Sequence, residues 1–197
     1  MKSIHLSVLV LMAGLLSTSV VTAGEVNPAN VPERKQTVAK KYMSAKEAAA
    51  LKQRMGNKAL LVDIRTQAEI LFVGEADAVD ANIPFLLADF SVWDDKKGRF
   101  QLSPNANFID KVGDLVSKSG LKKDSTIILM CRSGDRSARA ADALTKAGYS
   151  NVYSLVEGFE GDTAKNGPNA GKRTVNGWKN AGLSWSYNLD KSKMYLD

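Results

Sequence analysis

Cys131 opens the run Cys131-Arg132-Ser133-Gly134-Asp135-Arg136-Ser137, placed between a strongly apolar stretch, Thr126 to Met130, and a segment in which Ala140, Ala143, Leu144 and Ala147 recur at helical spacing. A tight turn that leaves a strand and enters a helix points successive backbone N–H groups inward, and the helix dipole adds partial positive charge at the same place. An anionic sulfur is the natural occupant of such a turn. Arg132 and Arg136 lie close by in sequence, so Cys131 is expected to act as a nucleophile without an imidazole base. Gly134 supplies the backbone freedom that a turn of this kind often needs. A cysteine ending a buried strand is also a common packing residue. Two arginines within five residues and a glycine in the turn weigh against that alternative.

The rest of the composition narrows the chemistry. Met1 to Ala23 has the order of a secretory signal: Lys2, an apolar run from Leu6 to Leu16, then Val21-Thr22-Ala23 ahead of a cut. The mature chain is then expected to start at Gly24 and to work in the periplasm or outside the cell. The single histidine, His5, is lost with the leader, which closes mechanisms that need a histidine base or ligand. One cysteine rules out an internal disulfide framework and a cysteine-based zinc site, so neither a metal nor an organic cofactor is implied. A lone thiol in an oxidising compartment risks pairing with other chains, and its retention suggests use. The formal charge of +6 is spread along the chain. It favours small anions over nucleic acid as partners. No stretch after the leader is long and apolar enough to span a bilayer, so the protein is not expected to be membrane-embedded.

The length of 197 residues suits one domain. Residues 24–41, with Pro28 and Pro32 and no apolar periodicity, read as a flexible lead-in. Ser44 with Glu47 forms a capping-box pair before a helix that Gly56 ends. Leu60 to Ile64 reads as a buried strand, and Asn82 to Phe85 as a second short one. Residues 86–103 read as a long loop, with Ser103 and Pro104 opening a helix in which Phe108, Val112, Leu115 and Val116 share a face. After the strand at Thr126 to Met130 and the helix beyond Arg136, Val152 to Val156 reads as the last strand. Strands alternating with helices predict an α/β fold: a mostly parallel central sheet flanked by helices on both faces. Ligands of such sheets bind beyond the carboxyl ends of the strands, where Cys131 falls.

Ile127 to Ser137 resembles the active-site strand and loop of rhodanese-homology domains. Tyr149 to Phe159 is similar to that family's last strand and glycine turn, Leu61 to Thr66 to its early Asp-x-Arg strand, and Asn82-Ile83-Pro84 to its next one. Gly177-Trp178 with Ala181-Gly182-Leu183 resembles its usual ending, so the likeness spans residues 42–187, leaving 188–197 as a tail. The resemblance implies a rhodanese-like sulfurtransferase: Cys131 as the persulfide-bearing catalytic residue; Arg132, Ser133, Gly134, Asp135 and Arg136 as the substrate-binding loop; a small anionic sulfur donor such as thiosulfate; and a thiol or cyanide, or a protein, as sulfur acceptor. It implies a structural part for Asp63 and Arg65. The alternative is a non-enzymatic persulfide carrier serving a dedicated partner. Phosphatases with related loops resemble Cys-x5-Arg, whereas Cys131 to Arg136 is Cys-x4-Arg. The shorter ring of amides suits one sulfur better than a phosphate.

The sequence departs from the family pattern at Gly74 to Ala81, where a Gly-His-Ile-x-Gly-Ala motif is usual. Residues 86–103 and 161–176 look like insertions, and Lys165, Lys172 and Arg173 of the second are expected to border the site. The aromatic residues Trp185 and Tyr187 extend beyond the usual end and are expected to pack on the domain.

Overall fold

The computed structural model describes residues 26–196; the leader read over residues 1–23 lies outside the described residues. In chain order the elements are β1 (Tyr42–Met43), α1 (Ala45–Met55), β2 (Ala59–Asp63), α2 (Gln67–Val73), β3 (Glu75–Ala76), β4 (Ala81–Asn82), β5 (Leu86–Asp94), β6 (Arg99–Pro104), α3 (Phe108–Lys118), β7 (Thr126–Met130), α4 (Asp135–Lys146), β8 (Val152–Leu155) and β9 (Trp185–Ser186). Five strands form the central sheet in the order β1-β8-β7-β2-β4, and every pairing in it is parallel.

Alternation along the two middle strands divides the core. Leu60, Val62, Ile127, Leu129 and Cys131 face α3 and α4, where Val112, Val116, Ala140, Ala141 and Leu144 meet them. Leu61, Ile128 and Met130 face the opposite way, onto Ala45 and Ala48 of α1 and onto Phe159 and Trp178. Both faces are therefore covered, as the unbroken apolar runs of β2 and β7 require of a parallel sheet. Full burial of each such side chain contributes about 1.5–3 kcal/mol. The middle strands set the height of the site, because the register runs from Ala59 opposite Thr126 to Asp63 opposite Met130 and the next residue is Cys131.

Four features differ from the sequence reading. Residues 86–103 are not a loop: β5 and β6 pair as an antiparallel hairpin with a bulge between Asp89 and Trp93. Ser103 and Pro104 do not open a helix; Pro104 ends β6 opposite Leu86, a terminal position that tolerates a missing N–H. The helix starts at Phe108 instead, after Asn105, whose side-chain amide donates to the Pro84 carbonyl at 2.9 Å. The second short strand covers only Ala81–Asn82. The lead-in is held in place, since Lys35 is buried and its ammonium donates to the Val156 carbonyl at 2.9 Å and to both oxygens of Asp162 at 2.7 and 2.8 Å.

The carboxyl end packs on the domain as expected. Trp185 pairs through β9 with β3 and stacks edge-to-face on Phe159 at 6.1 Å, while Tyr187 remains exposed. Tyr195 is buried beside Asn105.

Candidate functional site

The cysteine loop is suspended by its own backbone. The Cys131 carbonyl accepts from the Phe159 N–H at 2.8 Å, and the Arg132 carbonyl accepts from Glu160 and Gly161 at 3.0 and 3.2 Å. Two glycines allow this closeness. A Cβ on Gly158 would lie 2.4 Å from the Ser133 nitrogen, and one on Gly134 would lie 2.3 Å from the Val156 carbonyl oxygen. Gly134 also has φ +101°, a left-handed conformation that other residues adopt only under strain.

That conformation turns the Gly134 N–H onto the Cys131 sulfur, 3.1 Å away. Gly134 is also the N-cap of α4, where no side chain caps the helix, so the positive end of the helix is directed to the loop. Cys131 is a free thiol, only 1% exposed. It contributes to the wall of a pocket of about 120 Å³ together with Arg132, Ser133, Asp135 and Arg136 from the loop and helix start. The remaining walls are Leu86, Arg99 and Leu102 of the hairpin and Arg139 of α4. Arg132 Nε, Asp135 Oδ1 and Ser137 Oγ are buried here with no hydrogen-bond partner among the described residues. Of these three residues Arg132 and Asp135 line the pocket, whereas Ser137 does not.

The six residues singled out from the sequence therefore come together, with different roles. Arg136 is buried and engaged: its guanidinium donates to Glu69 of α2 at 2.7 and 2.5 Å, a fork-on-carboxylate pair. Burial alone would raise the Glu69 carboxyl, but the hydrogen bond and charge of Arg136 outweigh it and hold that group at about 2. By the same balance Arg136 is held above the ordinary arginine range. Asp135 faces Arg34 of the lead-in at 3.4 Å. Arg132 and Ser133 are half-buried and line both the cysteine pocket and a larger groove of about 930 Å³. Lys165 and Arg173 of the 161–176 segment line that groove, so this segment does border the site, whereas Lys172 does not line it.

Asp63 and Arg65 form a fully buried ion pair behind the loop, with Nη2 to Oδ2 at 2.6 Å. The Arg65 guanidinium lies 4.0 Å over the Phe159 ring and also donates to the Gly74 carbonyl at 2.8 Å. These contacts fix the turn from which Phe159 holds the Cys131 carbonyl. Glu75 is buried near the pair, and desolvation together with the Asp63 charge pushes its carboxyl up to about 7.

Sequence reasoning missed Glu69, Arg99, Arg139 and Lys35. Glu69 had a signal: Thr66-x-x-Glu69 is a capping box, and both of its reciprocal bonds form. Arg139 had one as well, since it lies on α4 three residues beyond Arg136; Arg99 had none, because it joins the pocket wall only through tertiary structure.

A family model described as the rhodanese-like domain matches residues 47–165. The chain belongs to the rhodanese-like family. An uncharacterised protein of Rickettsia prowazekii is 33% identical over 136 residues, covering 68% of this chain and 87% of the relative. An uncharacterised protein of Rickettsia conorii is 33% identical over 131 residues, covering 66% of this chain and 85% of the relative. Among solved structures, Rv0390 from M. tuberculosis is similar at 28% identity and a TM-score of 0.56, covering 74% of this chain and 96% of that one. Membership in the rhodanese-like family supports sulfur transfer as the general chemistry. Among the described residues, no group of three or more histidine, cysteine, aspartate or glutamate side chains is arranged to hold a metal ion, and no helix is long and apolar enough to cross a membrane.

Proposed function

We propose that this rhodanese-like domain is a sulfurtransferase that moves a sulfane sulfur from a small anionic donor such as thiosulfate to a thiol or cyanide through a persulfide on Cys131. In the first step the Cys131 thiolate attacks the outer sulfur of thiosulfate. A new S–S bond forms, the donor's S–S bond breaks, and sulfite leaves with the electron pair. In the second step cyanide attacks the outer sulfur, thiocyanate leaves, and the thiolate is regenerated; total charge is conserved in both steps. The observation that carries this reading is the Gly134 N–H, 3.1 Å from the sulfur at the uncapped start of α4, in a pocket lined by arginines. Donors fixed in that direction stabilise a sulfur anion wherever it forms and need no reorganisation during reaction. Ser133 and Asp135 line the pocket beside the sulfur, and Arg132 adds positive charge there. The leader read over residues 1–23 supports a periplasmic or secreted place of action.

Intact mass after incubation with thiosulfate tests the proposal. The wild-type chain is expected to gain one sulfur, cyanide to remove it, and Cys131→Ala to gain none. Loading without cyanide-dependent turnover would instead favour a persulfide carrier, and no loading would refute sulfur transfer from this donor.

A further inference from the structure

The charges around Cys131 are unequally available. Arg136 is committed to Glu69 by two hydrogen bonds, so its charge is largely matched before any ligand arrives. Arg99 and Arg139 occupy the same pocket. Neither forms an ion pair or side-chain hydrogen bond with a described residue; Arg99 is half-buried, and Arg139 is exposed and lies 6.0 Å from the Phe85 ring centroid. The cross-strand neighbour of Arg99 is Asp94, and that carboxylate is held by the Lys97 ammonium at 2.9 Å.

The two arginines come from different elements. Arg139 sits on α4, four positions beyond the helix start at Asp135, whereas Arg99 is the first residue of β6 in the hairpin. Aromatic pairs join the two strands of the hairpin. Phe100 meets Trp93 and Phe90 edge-to-face at 5.3 and 5.2 Å, and Phe85, just before β5, packs on Phe108 at 5.1 Å. Leu86 and Leu102 then form an apolar wall opposite the loop. The space between them is about 120 Å³, a volume that suits a small inorganic anion; Leu86, Arg99, Leu102 and Arg139 also line an adjoining groove of about 410 Å³.

We propose that Arg99 and Arg139 form an oxyanion subsite that holds the charged end of the sulfur donor, with the hairpin as the element that selects anionic donors over neutral ones. The inference rests on the sulfur-transfer reading and adds to it a division of labour. The Gly134 amide and the start of α4 face the sulfur being transferred, and the two unmatched arginines face the sulfonate that departs as sulfite.

The test uses two alkylating reagents of nearly equal size, so that it does not depend on sulfur transfer. Iodoacetate is anionic and iodoacetamide neutral, both alkylate cysteine thiolates, and Cys131 is the one cysteine of the chain. In Arg99→Gln and Arg139→Gln the iodoacetate rate is expected to fall roughly tenfold while the iodoacetamide rate changes by no more than about twofold. Arg99→Lys restores most of the loss, and KM for thiosulfate rises in step with the iodoacetate effect. An unchanged ratio of the two rates in both glutamine variants, or a parallel fall with both reagents, overturns the subsite. If the ratio falls as expected but the wild-type chain takes up no sulfur from thiosulfate, the subsite stands and the sulfur-transfer reading fails.

Discussion

Replacing Glu69 with Gln tests how the loop's last arginine is held. The pair is largely shielded, with side-chain exposures of 21% for Glu69 and 9% for Arg136. The Glu69 carboxyl sits at about 2 instead of its ordinary 4.5. At about 1.4 kcal/mol for each such step, that difference corresponds to roughly 3 kcal/mol of favourable interaction when the carboxylate is charged. Removing one partner of a buried pair typically costs about 3–5 kcal/mol, and the Gln carbonyl keeps one acceptor for Arg136. A loss of about 2–3 kcal/mol at pH 7 is therefore expected. The sign with pH follows from the lowered folded-state value: the stabilisation is complete above about 4.5 and disappears as pH falls towards about 2. Urea unfolding of both proteins at a series of pH values measures this directly. The wild-type advantage should shrink steadily between pH 5 and pH 2, because protonation makes Glu69 resemble the variant. A difference that stays constant over that range, or one below about 0.5 kcal/mol at pH 7, would refute the reasoning.

Two other substitutions probe separate parts of the framework. Gly134→Ala places a methyl group 2.3 Å from the Val156 carbonyl at φ +101° and should destabilise the fold by roughly 2–4 kcal/mol and suppress sulfur loading, whereas Gly98→Ala, at φ +58° in open space, should cost about 1 kcal/mol; equal losses in urea unfolding would contradict this account. Glu75 has a folded-state carboxyl raised to about 7, so charging it destabilises the protein progressively from about pH 4.5 to pH 7 and by a constant amount above. Glu75→Gln should then match wild type in Tm near pH 4 and exceed it at pH 8, by about 1–3 kcal/mol in stability; a gain that is the same at both values would count against it.

The middle of the fold was readable because its signals are local and repeated. The apolar run at Thr126 to Met130 becomes a central strand buried from Ile127 onward, and Ser44 with Glu47 forms the capping box that starts α1. Cys131 and Gly134 were readable because a strand, a glycine and a helix start fix the turn between them. The hairpin was not, since its bulge breaks the alternation of Phe90, Val92 and Trp93, and those side chains stay exposed instead of marking a core face. Lys35 had no signature at all: a charged residue is buried only when distant partners receive it, here Val156 and Asp162, more than 120 positions away. Pocket walls built from Leu86 and Arg99 are equally a product of the topology.

The tethering of residues 131 and 132 by main-chain bonds alone has an evolutionary consequence. Peptide groups are common to all amino acids, so exchanges of side chain at Arg132 and Ser133 leave the scaffold of the loop intact. New preferences for one anion or another can accumulate there, and in the hairpin opposite, without the nucleophile being rebuilt. The two glycines carry the reverse burden, because at those positions the shape of the backbone is itself what selection must retain.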